Sequence, residues 1–110
     1  MRFVVEPSEL PELPAAVEVA AYRIAVEAMT NAVRHAGASA CRVALHADSQ
    51  LTVEVTDDGC GLPDVPRRGT GLESMQERAA EVGGEVAVER RPEGGTRVLA
   101  RLPLGQGGLP

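Results

Sequence analysis

The sequence predicts an α+β domain in which helices cover one face of a mostly antiparallel sheet. Apolar residues recur at helical spacing in two segments that contain neither glycine nor proline, residues 15–36 and 72–82. Shorter segments alternate between apolar and polar residues, as half-buried strands do, and short turn sequences join them in pairs. Paired strands joined by short turns are antiparallel, which gives the predicted sheet.

The first predicted elements are a short strand at residues 3–5 and a long helix over residues 15–36. Pro14 stands where a proline favours the start of a helix, and Gly37 ends it. Small apolar residues form one stripe along the helix, which we expect to face the sheet. They are Val17, Ala21, Ile24, Ala28 and Ala32.

Two hairpins and a second helix complete the prediction. Segments 41–47 and 51–56 alternate as strands around a turn at 48–50, and strands 85–89 and 96–102 flank the turn at 92–95. The second helix, 72–82, is ended by Gly83 and Gly84. The glycine- and proline-containing segment between Asp57 and Gly71 lacks periodicity and is expected to be a mobile surface loop. One domain over residues 1–104 and a disordered tail at 105–110 are predicted.

Composition excludes several functions. The chain of 110 residues suits one domain, and its net charge of −5, absence of lysine and aromatic content of 2% argue against nucleic-acid binding. Cys41 and Cys60 lack the spacing of a zinc site or a disulfide framework, which indicates a reducing compartment. Because no long apolar run is present, we expect a cytoplasmic domain without direct membrane contact, either independent or the cytoplasmic part of a membrane receptor.

The long helix carries the first group of candidate site residues. Glu27, Asn31 and His35 follow one another at intervals of four and therefore lie along one face. The Asn31 amide oxygen can complete a Mg²⁺ shell, Glu27 can hold a metal-bound or attacking water, and Arg34 can reach a phosphate oxygen. Alternatively, these residues form a solvated polar stripe opposite the apolar one, with His35 as a cation at the helix C-terminus.

The second group lies at the end of strand 51–56, where Asp57 is followed by Asp58, Gly59 and Gly61. A carboxylate at a strand end can accept a hydrogen bond from the exocyclic amine of adenine. The glycines allow backbone to approach the base because they have no Cβ. The alternative is an ordinary Asp-Gly turn that closes a hairpin.

The third group is Gly69, Thr70, Gly71 and Leu72, which lead directly into the second helix. Free backbone N–H groups and the positive end of the helix dipole attract phosphate at such a position. Alternatively, Thr70 only caps the helix.

Taken in order, these motifs resemble the ATP-binding catalytic domain of two-component sensor histidine kinases, which belongs to the superfamily of gyrase, heat-shock chaperone and mismatch-repair ATPases. Residues 27–36 resemble the N box of that family, 57–61 its first glycine box and 69–72 its second. Residues 71–79, followed by the glycines at 83–84 and by Gly94-Gly95-Thr96, are similar to the nitrate-sensor-like subfamily. The resemblance extends from about residue 3 to residue 103.

The resemblance implies a Bergerat-type two-layer sandwich, with a mixed, mostly antiparallel sheet covered on one face by helices. It implies that Asn31 ligates Mg²⁺, that Asp57 binds the adenine amine, and that Thr96 supports the adenine through Asp57 or a shared water. Glu27 and Asn31 are the expected catalytic residues. The remaining positions expected around ATP and Mg²⁺ are Arg34, His35, Gly59, Gly61, Gly69, Thr70, Gly71 and Leu72.

In that family the γ-phosphoryl group passes to a histidine on a dimerisation domain and then, in the nitrate-sensor-like subfamily, to a response regulator of the LuxR type. No helical hairpin of that kind precedes residue 3 here, so we expect a separate dimerisation domain to supply the histidine. The chain alone is then expected to be a monomer that does not autophosphorylate. The alternatives are a stand-alone anti-sigma-factor-like serine kinase and a non-catalytic nucleotide-binding interaction domain.

Overall fold

The computed structural model describes residues 2–7, 10–34, 39–59 and 72–104, with residues 2–7 as backbone. The predicted elements are all present, with ends that differ by one or two residues where both ends are described. The expected loop at 60–71, the tail at 105–110 and Gly37 lie outside the described residues. The elements are β1 (Arg2–Pro7), α1 (Ala15–Arg34), β2 (Ala40–Ala47), β3 (Gln50–Asp57), α2 (Leu72–Glu81), β4 (Glu85–Arg90) and β5 (Thr96–Pro103).

The strands form one sheet in the order β1-β2-β3-β5-β4. β1 pairs with β2 in parallel, and the other neighbours are antiparallel. The parallel pair requires a crossover connection, which α1 supplies, whereas β2 and β3 need only a tight turn in which the Asp48 N–H donates to the Gln50 carbonyl at 3.0 Å. The predicted mixed, mostly antiparallel sheet is confirmed.

The hydrophobic core lies between the helices and one face of the sheet. Ile24 of α1 is fully buried, as are Leu51 of β3 and Leu102 of β5, and α2 adds Met75 and Ala79. The apolar stripe predicted on α1 is buried in full. Because most of that stripe is alanine or valine, the helix can lie close to the sheet without large side chains between them.

The exposed side of α1 carries large apolar residues, which the polar-stripe alternative above does not include. Val19, Tyr22, Val26 and Val33 lie there and are 39–70% exposed. Glu27 and Asn31 are half-buried, between the two apolar faces. The helix therefore has a core face, an exposed apolar face and a narrow polar band between them.

α2 ends in a glycine motif that sets the entry to the second hairpin. The Gly83 N–H donates to Ala80 at 3.0 Å and the Gly84 N–H to Ala79 at 2.8 Å, which is the Schellman pattern. Gly83 adopts φ +78°, a conformation that favours glycine. Among the described residues, no helix combines the length and the hydropathy that crossing a membrane requires.

Candidate functional site

The site begins where β3 ends and β5 starts, at one end of the helix-covered face of the sheet. Thr56 pairs with Arg97, so the flanking residues Asp57 and Thr96 lie side by side at this end. Both alternate with buried valines and face the helices. Asp57 is 7% exposed and Thr96 is 6% exposed, and they are the buried polar side chains of the described part of the chain.

The Asp57 carboxylate is partly satisfied by its own loop. The Gly59 N–H donates to Asp57 Oδ1 at 2.9 Å, which is a local turn of the kind the sequence allows. This bond uses Oδ1, so the second oxygen, Oδ2, takes no part in the turn. The turn therefore orients the carboxylate and leaves one oxygen for a donor on a ligand.

The Thr96 hydroxyl is buried and has no hydrogen-bond partner within the described ranges. Burying such a group without a partner costs about 1–3 kcal/mol. An orphaned hydroxyl beside a carboxylate suits a ligand that offers a donor, directly or through a water.

Cys41 lies on the neighbouring strand β2 at this end of the sheet. It pairs with Asp57 across β2 and β3 and is 1% exposed. Burial raises the pKa of the thiol to about 11, and the charges of Asp57 and Asp58 add to the effect. Cys41 is thus a small neutral packing residue and not a nucleophile at neutral pH.

The C-terminal end of α1 lies at the same end of the sheet. α1 ends at Arg34, and residues 35–39 connect it to β2, whose Cys41 pairs with Asp57. This connection places the C-terminal end of α1, with Asn31 and Arg34, at the end of the sheet that carries Asp57 and Thr96. Asn31 is half-buried and Arg34 is exposed.

The other predicted positions divide into described and undescribed residues. Gly59 contributes its backbone N–H to Asp57, and Leu72 opens α2 and packs against the core. His35, Gly61, Gly69, Thr70 and Gly71 lie outside the described residues. Within the described ranges, no group of three or more His, Cys, Asp or Glu side chains could hold a metal ion.

The structure adds two sets of contacts, one at Asp57 and one at Asp58, that the sequence reasoning missed. Arg91 donates from Nη1 to the Asp57 carbonyl at 3.0 Å. On the other side, the Asp58 carboxylate accepts from the Ser39 N–H at 2.8 Å, the Ser39 hydroxyl at 2.6 Å and the Ala40 N–H at 3.0 Å. These bonds, the Ser39 hydroxyl first, lower the pKa of Asp58 to about 2. The doubled aspartate was a visible signal for Asp58, whereas nothing in the sequence marked Arg91.

A groove of about 850 Å³ runs between α1 and α2. Tyr22 and Val26 of the exposed apolar face line it, opposite Met75 and Arg78 of α2, and Glu27 belongs to its wall. Glu27 therefore connects the polar band of α1 with an open, largely apolar groove.

The comparisons with known proteins agree with this geometry. Residues 16–106 match the family described as "Histidine kinase-, DNA gyrase B-, and HSP90-like ATPase", and the chain belongs to that family. Its relatives include the sensor histidine kinase LnrJ of Bacillus subtilis, 37% identical over 84% of this chain and 23% of LnrJ. A NarQ homolog of Haemophilus influenzae is 33% identical over 74% of this chain and 15% of that protein. The chain therefore spans less than a quarter of these two relatives.

Solved structures agree as well. The ATP-binding domain of PrrB from Mycobacterium tuberculosis superimposes with a TM-score of 0.69 at 27% identity, over 94% of this chain and 82% of that one. The blue-light-activated histidine kinase EL346 of Erythrobacter litoralis gives a TM-score of 0.75 at 26% identity, over 94% of this chain and 35% of that one. These matches confirm the predicted family resemblance and the Bergerat-type fold.

Proposed function

We propose that this chain binds ATP with Mg²⁺ and donates the γ-phosphoryl group to a histidine of a dimerisation domain in two-component signalling. One observation carries the proposal: two polar side chains, Asp57 and Thr96, are buried at the end of the sheet where α1 also ends, and the Thr96 hydroxyl has no hydrogen-bond partner within the described ranges. The sensor histidine kinases among the relatives support the same reaction class.

The adenine ring is proposed to lie against Asp57. Oδ2, the oxygen that Gly59 does not bind, accepts a hydrogen bond from the exocyclic amine, and the Thr96 hydroxyl completes the contact through Asp57 or a water. Guanine presents a carbonyl oxygen at the equivalent position, which would face the carboxylate without a proton between them. The site should therefore select adenine over guanine, since an unpaired buried polar atom is costly.

The phosphates are proposed to extend from the base toward α1. Asn31 offers an amide oxygen to Mg²⁺, and the bound ion neutralises charge on the phosphoryl oxygens. Glu27 orients a water or the acceptor, and Arg34 with His35 lies on the phosphate side. Gly61 is proposed to line the base pocket with Gly59, and Gly69 and Gly71 are proposed to shape a lid over the phosphates. Positioning and charge neutralisation, and not covalent chemistry by the protein, would then account for catalysis.

The acceptor histidine is proposed to approach along the groove between α1 and α2. The groove has apolar walls at Tyr22, Val26 and Met75, and Glu27 lies in its wall. A dimerisation helix packed there would bring its histidine toward the phosphates. The proposed final acceptor is a LuxR-type response regulator. Because ATP and such regulators are found in the cytoplasm, we place this domain there. By itself, the domain is expected to be a monomer.

Calorimetric titration with a non-hydrolysable ATP analogue, with and without Mg²⁺, tests the binding proposal. Asp57→Asn is expected to weaken binding by about 1–3 kcal/mol, because the Gly59 N–H holds the amide oxygen and the amide NH₂ then faces the adenine amine, donor against donor. Asp48→Asn, at an exposed turn, is the matched control and should bind like the wild type. Equal binding by wild type and Asp57→Asn would exclude Asp57 from the adenine site.

Incubation with γ-labelled ATP tests the transfer step. The chain alone should acquire no acid-labile phosphate, and labelling should appear on a histidine-bearing dimerisation domain when one is added. Strong labelling of the chain alone would contradict the proposal. Acid-stable label on a serine of a partner protein would support the serine-kinase alternative instead.

A further inference from the structure

The turn between β4 and β5 holds Arg91 in a defined place. The Arg91 N–H donates to the Gly95 carbonyl at 3.0 Å, and the Gly94 N–H donates back to the Arg91 carbonyl at 3.0 Å. Gly94 and Gly95 adopt φ values of +106° and +96°, which allow the chain to reverse within these few residues. Arg91 thus stands at the base of a closed turn.

The Arg91 side chain reaches from this turn to the end of β3. Its Nη1 donates to the Asp57 carbonyl at 3.0 Å, and its Nη2 donates to Glu93 Oε2 at 2.9 Å. The side chain is 27% exposed, so most of it is shielded from water. Glu93 fixes one edge of the guanidinium, and the other edge binds the Asp57 backbone.

Gly95 brings the turn against the same peptide. A Cβ at Gly95 would overlap the Asp57 carbonyl and lie 3.0 Å from the Asp58 Cα. Only glycine permits this approach, because any larger residue would displace the strand end. The peptide between Asp57 and Asp58 is therefore in direct contact with the β4–β5 turn.

The other side of that peptide is held by β2. Asp58 binds Ser39 and Ala40 through its carboxylate, and the Asp58 N–H donates to the Ala40 carbonyl at 3.3 Å. With both flanks held, the Asp57 backbone has little freedom. Since Gly59 already orients Oδ1, the position of Oδ2 follows from the position of the backbone.

From these contacts we infer that Arg91 is a positioning residue for adenine recognition, acting through the Asp57 carbonyl to hold the Asp57 carboxylate where it meets the exocyclic amine. This inference deepens the proposed function and rests on it. It assigns to Arg91, which precedes the turn of the second hairpin, a part in base selectivity. Arg91 is not proposed to touch the nucleotide.

The test compares ATP with purine riboside triphosphate, which lacks only the exocyclic amine, in titrations of the 110-residue chain. Arg91→Gln should weaken ATP binding about three- to tenfold and change purine riboside triphosphate binding by less than about twofold. A general disturbance of the pocket would weaken the binding of both nucleotides by the same factor, and that result would overturn the inference. Arg101→Gln, at an exposed position of β5, is the matched control and should retain the wild-type preference.

Two further variants make the result specific. Arg91→Lys keeps one donor and should recover part of the ATP preference, and it serves in place of Arg91→Gln should the latter not fold. In the Asp57→Asn background, Arg91→Gln should have no further effect on ATP binding, because the acceptor that it positions is gone.

Failure of the inference can be told apart from failure of the proposed function. If Asp57→Asn abolishes the preference for ATP but Arg91→Gln retains it, the inference is wrong and the adenine site stands. If the wild type shows no preference for ATP, or Asp57→Asn does not reduce it, the adenine site itself is wrong and the inference fails with it.

Discussion

The two ends of the helix-covered face of β3 and β5 bury opposite kinds of side chain. At one end, Leu51 pairs with Leu102 and both are 0% exposed. At the other end, Asp57 and Thr96 are 7% and 6% exposed. We call these the apolar end and the polar end. Both ends lie on the same two strands, and all four side chains are buried. The two ends differ in the chemistry of those side chains.

The comparison shows that burial alone does not indicate a binding site, whereas a buried polar atom without a hydrogen-bond partner does. The apolar end contributes stability through the transfer of aliphatic surface out of water. The polar end forgoes that contribution and carries an orphaned hydroxyl. A polar pair in such a place is more consistent with binding a ligand than with stabilising the fold.

The largest effect is expected at the apolar end. Leu102→Ala should lower the free energy of unfolding by about 2–5 kcal/mol, because it removes buried methyl groups and leaves a cavity. Urea unfolding in the absence of nucleotide measures this change in the free energy of unfolding. Leu99→Ala is the same truncation on the uncovered face of β5, where the side chain is 8% exposed, and should cost less. Equal losses of stability would show that the helix-covered face of β5 is no more stabilising than its uncovered face.

A smaller effect of a different kind is expected at the polar end. Thr96→Val replaces an unpartnered hydroxyl with a methyl group, so stability should be unchanged or slightly higher, while ATP affinity falls by about 0.5–1.5 kcal/mol. Urea unfolding and calorimetry measure the two quantities. Thr56→Val, on the other face of β3, should leave ATP affinity unaltered. A stability loss without a loss of affinity would assign Thr96 to the fold and not to the site.

The smallest effect concerns Asp58, which supports the polar end from the surface. Its pKa is lowered from the ordinary 3.8 to about 2, so its stabilising contribution is complete above about pH 4 and is lost as the pH falls toward 2. Asp58→Asn should flatten the pH dependence of unfolding in that window. Wild-type and variant curves that run parallel from pH 5 to pH 2 would remove this role from Asp58.

Much of the fold was predictable because its signals are local. Helical spacing predicted the core stripe of α1, alternation predicted β2 to β5, and the glycines at 83–84 predicted the end of α2. Asp57 was marked by its place after a strand and before two glycines. The roles of Asn31, Thr96 and the glycine loops rested on the family resemblance, and they remain predictions.

Other features of the structure could not be predicted from the sequence. α1 has apolar residues on two faces, and only packing decided that Ile24 faces the sheet while Tyr22 is 70% exposed. The contact of Arg91 with Asp57 joins residues 34 positions apart. Neither residue type nor spacing distinguishes that arginine from Arg90 beside it.

By itself, the sequence determined the elements, the family and the identity of the carboxylate at the end of β3, because periodicity, turns and motifs are properties of short stretches of chain. Only the tertiary structure decided which apolar face of α1 is buried, that the Thr96 hydroxyl has no partner within the described residues, and that the second hairpin holds the Asp57 backbone. Those features depend on which distant groups come within hydrogen-bonding or van der Waals distance, and that is settled only when the strands pair and the helices pack.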